Sequence, residues 1–199
     1  MSGLRGFVGW SAVGAVTLLP LIAAATSPLL AWRDPVYIAA GFAGIFALAL
    51  LLVQPLAAAG VLPGLTRRRA RLAHRSIGAA LVLAVAAHVA GLWITSPPDV
   101  IDVLLFASPT PFGIWGVLAM WAVIASVLLA ALRTRIRLRP RTWTIAHRGL
   151  AAMIVTGSIV HTLLIEGTME PVTKILLCIC AGLAALVVLI GTRRPFQGR

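Results

Sequence analysis

Residues 72–95 read LAHRSIGAALVLAVAAHVAGLWIT and residues 143–165 read WTIAHRGLAAMIVTGSIVHTLLI. Both runs are long and apolar enough for a helix to cross bilayer hydrocarbon, which takes about 20 residues. Neither alternates apolar with polar side chains, so neither reads as a membrane β-strand. The chain has four histidines, two in each run: His74 and His88, then His147 and His161. The members of each pair are 14 positions apart. At about 100° per residue, that spacing falls roughly 40° short of four turns, so each pair lies along one helix face with an axial rise of about 21 Å.

Four more runs of this kind lie outward from these two. The six together are Gly9–Ala31, Val36–Leu62, Leu72–Thr95, Phe112–Leu132, Trp143–Ile165 and Val172–Gly191. The 199 residues are 60% hydrophobic and only 11% charged, with a mean hydropathy of +1.02. Soluble domains carry about half apolar and a quarter charged residues. The expectation is an all-α integral membrane protein, a six-transmembrane-helix bundle forming one domain over residues 1–199. Disorder and a disulfide scaffold are excluded. Pro20, Pro28 and Pro55 fall inside the runs, where proline kinks a helix or marks its end.

Charge sets the expected orientation. Arg67, Arg68, Arg69, Arg71 and Arg75 lie between or just inside the second and third runs. Arg133, Arg135, Arg137, Arg139, Arg141 and Arg148 do the same between the fourth and fifth, while Arg5 precedes the first run and Arg193, Arg194 and Arg199 follow the sixth. Of the 17 basic residues only Arg33 and Lys174 fall on the other side, together with all five acidic ones, Asp34, Asp99, Asp102, Glu166 and Glu170. The positive-inside bias makes the arginine-rich side cytoplasmic and puts both termini there, as in a multi-pass protein of a bacterial inner membrane. A net charge of +12 would point to nucleic acid in a soluble protein. Here the arginines set topology and meet anionic lipid headgroups, so the bilayer is the partner and nucleic acid is not. Trp10, Trp32, Trp93, Trp115 and Trp143 fall near run ends, as an interfacial aromatic belt requires; Trp121 lies mid-run, where packing is its expected role. Arg5 ahead of an apolar run also resembles a signal peptide, but this run outlasts a normal signal core and is retained as a helix.

The third and fifth runs are two crossings apart, so they run parallel. His74 and His147 then share an inner depth, and His88 and His161 an outer one. A single histidine in a membrane helix can serve simply as a hydrogen-bonding group to a neighbour. Four histidines at two matched levels point instead to ligation. With no acidic residue or cysteine at either level, a tetrahedral zinc site is incomplete, whereas two facing imidazoles suit the axial positions of a haem. No Cys-x-x-Cys-His motif is present, so the expected cofactor is haem b, two per chain, held without covalent attachment. Arg75 and Arg148 each follow a histidine in the string Ala-His-Arg. They either partner haem propionates or snorkel to headgroups. Cys178 and Cys180, two apart on a helix, point about 160° away from each other and read as inert thiols.

This histidine constellation on six helices resembles the ferric-reductase-like transmembrane domain, a superfamily that includes ferric reductases, NADPH oxidases and the small haem-bearing membrane subunit of the bacterial periplasmic methionine sulfoxide reductase system. The resemblance implies that His74 and His147 ligate an inner haem iron and His88 and His161 an outer one. Electrons are then expected to pass from a cytoplasmic flavin reductase or quinol to external ferric iron or an acceptor protein. The chain ends at Arg199, soon after the sixth run, and the expectation is that it does not itself oxidise NAD(P)H. Two alternatives stay open: a quinol-linked cytochrome b subunit of a larger complex, and a haem-free scaffold or transporter whose histidines bind a metal or relay protons.

Overall fold

The computed structural model describes residues 2–191, and Arg193, Arg194 and Arg199 lie outside them. Seven α-helices form among the described residues: α1 (Ser2–Ala25), α2 (Pro35–Ala59), α3 (Arg67–Thr95), α4 (Pro97–Leu104), α5 (Pro111–Leu132), α6 (Pro140–Leu164) and α7 (Pro171–Gly191). Five of them open on proline, whose fixed φ and missing N–H suit the first turn. The Asp34 carboxylate accepts from the N–H groups of Val36 and Tyr37 to cap α2, and the Thr66 hydroxyl accepts from Arg69 N–H to cap α3. Gly60, at φ 67°, supplies the left-handed residue that ends α2.

All six apolar runs become helices, with shifted ends. The first helix stops at Ala25 rather than Ala31, because Thr26 and Ser27 break it and Pro28 starts a short 3-10 turn, Pro28–Leu30. Pro20 and Pro55 do lie within helices. Arg67, Arg68, Arg69 and Arg71 are not a loop but the first turns of α3, and the Ser96–Pro111 connection contains α4.

Five helices (α1, α2, α3, α5 and α7) are long and apolar enough to cross a membrane. α6 is 25 residues long but carries Arg141, Arg148, His147 and His161, which lower its apolar character. Around the outside the helices show apolar side chains, including Leu83, Val127, Leu186 and Val187, as lipid-facing surfaces do. Trp121 belongs with these: it is 50% exposed, so the expected packing role does not hold.

Packing is organised as two antiparallel hairpins. α2 lies closely along α3, and α5 along α6; α7 bridges α2 and α6, with α1 against α2 and α7. Between the hairpins the contacts are sparse, and α3 and α6 hardly touch. Of the core, Ile45, Leu48, Leu51, Leu81, Val123 and Ile154 line this gap, while Leu52 and Leu177 are buried away from it.

Candidate functional site: two facing histidine pairs

All four histidines border the gap, two from α3 and two from α6. The His74 and His147 rings have centroids 6.2 Å apart, and the His88 and His161 rings 6.4 Å. In both pairs the planes are nearly perpendicular, at 81° and 79°. Metal–imidazole bonds of about 2.0 Å, plus roughly 1.15 Å from nitrogen to ring centre, put the centroids of a linear bis-imidazole metal about 6.3 Å apart. Among the described residues no three His, Cys, Asp or Glu side chains gather at one point, so each donor set is a pair. Two neutral imidazoles at this spacing suit a metal whose remaining ligands come from a macrocycle.

Each ring is oriented from behind. His88 Nδ1–H donates to the Ala40 carbonyl at 2.8 Å, and His161 Nδ1–H to the Phe112 carbonyl at 2.9 Å. His74 Nδ1–H reaches the Gln54 carbonyl at 3.3 Å, and His147 Nδ1 lies 3.1 Å from the Ser126 hydroxyl. A carbonyl can only accept, so in the first three rings the proton sits on Nδ1 and Nε2 keeps its lone pair. This is the usual way a protein presents an imidazole to a metal.

Two glycines allow the outer rings their position. A Cβ on Gly44 of α2 would sit 3.0 Å from His88 Nδ1, and one on Gly116 of α5 would sit 2.8 Å from His161 Nδ1. The outer pair opens on a cavity of ≈ 420 Å³, walled at this level by Gly44, Leu48, Gly116 and Val117 and rimmed by Asp99, Asp102, Thr168 and Lys174. That volume is in the range of cofactor and small-molecule sites, about 300–1,000 Å³.

The inner pair is framed differently. The Trp143 indole stacks on His147 at 5.1 Å and 8°, and the Arg133 guanidinium lies 4.4 Å over that indole. Trp143 Nε1 and Gln54 Oε1 are buried without hydrogen-bond partners. Of the two arginines singled out from sequence, Arg75 is exposed beside His74. Arg148 turns away from the gap and donates to the Leu189 carbonyl at the end of α7. Cys178 is buried and Cys180 half-buried; both are free thiols, outside the gap lining. Asp99 and Asp102 join the outer rim, Glu166 is exposed, and Glu170 caps α7 by accepting from the N–H groups of Val172 and Thr173.

Sequence reasoning missed the acceptors and the glycines, although the sequence holds a signal for them. Ala40 and Gln54 are 14 apart, as are Phe112 and Ser126, the same interval that separates the histidines. Ala40, Gly44, Ala47, Leu51 and Gln54 of α2 recur 72 residues later as Phe112, Gly116, Ala119, Val123 and Ser126 of α5. His74-Arg75 and His88 recur 73 residues later as His147-Arg148 and His161. The two hairpins therefore repeat one plan: a helix of hydrogen-bond partners behind a helix of histidines.

No curated protein and no solved structure matches the chain. The family described as the ferric reductase like transmembrane component matches it over residues 40–158, a stretch that begins at the acceptor of His88 and includes three of the four histidines. With more than half its length matched, and on both hairpins, the chain belongs to the ferric-reductase-like transmembrane family.

Proposed function

We propose that the chain is a transmembrane b-type cytochrome, carrying electrons from the cytoplasmic side of a bacterial inner membrane to an external acceptor. One observation carries the reading: both histidine pairs stand at the separation of axial imidazoles, 6.2 and 6.4 Å. A haem at each level supplies one-electron chemistry at its iron. His74 and His147 would hold the inner one, and His88 and His161 the outer. The Ala40, Gln54 and Phe112 carbonyls keep the rings in the ligating tautomer, and the apolar helix walls exclude water. Arg75 is the nearer candidate for an inner propionate, since Arg148 is engaged with α7.

This reading makes α6 the sixth span. Its two histidines are about 21 Å apart along the axis, and each meets a histidine of α3. A helix lying on the surface could not meet both partners. Alternate connections then carry arginines (α2–α3 and α5–α6) or acids (α1–α2, α3–α5 and α6–α7), which favours a cytoplasmic arginine-rich side. A flavin reductase or quinol is the donor in this scheme, and ferric iron or a periplasmic oxidoreductase the acceptor.

Haem stoichiometry on detergent-purified protein tests it, by pyridine haemochrome with reduced-minus-oxidised spectra. Two haems b per chain are expected. A colourless protein after expression with ample haem would overturn the reading in favour of a metal-binding or proton-relaying bundle.

A further inference from the structure

The repeat between the hairpins makes its departures visible. One turn before each histidine, at four positions earlier, stand Ala70, Ala84, Trp143 and Gly157. Three are small and one is the largest side chain available. Trp143 precedes His147, the one histidine whose Nδ1 partner is a hydroxyl rather than a backbone carbonyl. A hydroxyl rotates and can donate or accept, so Ser126 alone fixes neither the tautomer nor the ring plane as a carbonyl does. At this ring the indole lies parallel and in contact, at 5.1 Å and 8°. Above the indole sits Arg133, the residue that ends α5, at 4.4 Å. Its counterpart 72 positions earlier is Val61, which is uncharged. The substitute aromatic and its cation thus occur together, at the place where the repeated hydrogen bond is weakest in defining the ring.

We propose that the Arg133–Trp143 stack is a positioning device: it fixes the plane of the His147 ring and holds a positive charge against the inner centre. The proposal rests on the cytochrome reading above. Trp143 acts through His147 and is a positioning residue. The guanidinium lies in the turn that joins α5 to α6, at the end of the molecule where the arginines of both hairpins gather. A cation there favours the reduced state of the nearby centre, because reduction lowers its net charge.

The test uses the haem-loaded full chain in detergent, with Trp143→Leu, Trp143→Phe and Arg133→Gln. Low-spin ferric electron paramagnetic resonance reads the angle between axial imidazole planes, and a redox titration followed optically reads the potential of each haem. Trp143→Leu is expected to shift and broaden the inner low-spin signal and leave the outer one in place. Trp143→Phe, which can still stack, is expected to restore the inner signal. Arg133→Gln is expected to keep the haem content and lower the inner potential while sparing the outer. An inner signal unchanged in Trp143→Leu, or an inner potential unchanged in Arg133→Gln, overturns the proposal. Should Trp143→Leu lose the inner haem outright, Trp143→Phe and Arg133→Gln decide by the same criteria. A wild-type protein that binds no haem defeats the functional reading instead, and the two failures are told apart before any variant is made.

Discussion

The outer and inner levels each face one histidine of α3 with one of α6 at nearly the same separation, 6.4 and 6.2 Å, yet they are built from different material. At the outer level the acceptors are backbone carbonyls at 2.8 and 2.9 Å, the rings rest on Gly44 and Gly116, and a ≈ 420 Å³ cavity opens beside them. At the inner level one acceptor is a longer carbonyl contact at 3.3 Å, the other is a hydroxyl, and an indole and a guanidinium complete the frame. Backbone acceptors are independent of side-chain identity and move only if the helix moves. Side-chain acceptors are adjustable and can be changed one residue at a time. The outer site is therefore held by the packing of the hairpins, and the inner site by its own substituents.

The largest effect expected is loss of one centre with survival of the other. His88→Leu should remove the outer haem and leave the inner, and His74→Leu should do the reverse, so each variant retains about half the wild-type haem by pyridine haemochrome. Full haem content in both variants would show that these residues are not the ligands. If either variant lost both haems, the two levels could not be treated as separately held sites.

Next in size are the glycines, which distinguish the levels most sharply. Gly44→Val and Gly116→Val would each force a branched side chain into a space where even a Cβ comes within 3.0 or 2.8 Å of Nδ1. Overpacking of this kind costs on the order of 1–3 kcal/mol. Here it displaces the ring from its carbonyl as well. The expected result is a loss of outer haem on purification with the inner haem kept, plus a lower unfolding temperature. Outer haem retained in full, with a shift only in unfolding temperature, would mean that the glycines serve helix packing and not the ligand.

Much of the fold was legible because its governing features are long and redundant. Six apolar runs gave six of the seven helices to within a few residues at most ends. The first run was overextended most, through Pro28 to Ala31 where α1 ends at Ala25, and the second less, to Leu62 where α2 ends at Ala59. α4 was missed because eight residues opening Pro97-Pro98 carry no membrane-length signal. The four histidines were legible as two levels from their spacing alone. Ala40, Phe112, Gly44 and Gly116 were not, because they act through a carbonyl or through the lack of a side chain, and such residues look ordinary in a sequence. Adjacency to His147 likewise does not say what Arg148 meets: its guanidinium donates to the Leu189 carbonyl at the end of α7, a contact no sequence spacing announces.

The smallest effect concerns pH, and it separates the two rims. The arginine-rich end contains no acidic residue, whereas the outer rim is closed by the segment between α6 and α7, with Thr168 and Met169 buried and Thr168 packed on Gly41. That segment is held at one end by Lys174 Nζ, which donates to the Ile165 carbonyl, and at the other by Glu170, which caps α7. Thr173 foremost, and the Val172 N–H beside it, hold the Glu170 carboxyl below its ordinary value of 4.5. A carboxyl depressed in this way stabilises the folded state fully above its ordinary value, and the contribution fades as pH falls through the lower folded one. Glu170→Gln should therefore lower the unfolding temperature slightly at neutral pH, and the two proteins should converge as the pH drops below 4.5. Glu170 is exposed to water at the rim, so the difference is screened and should shrink further in high salt. Hydrogen exchange places the effect: measured against each amide's intrinsic rate at the same pH, protection in residues 165–174 of the wild type should fall in acid, and protection in the Arg133–Arg139 turn should not respond. Equal acid sensitivity at both rims would remove Glu170 as its source and leave the inner and outer ends alike in this respect.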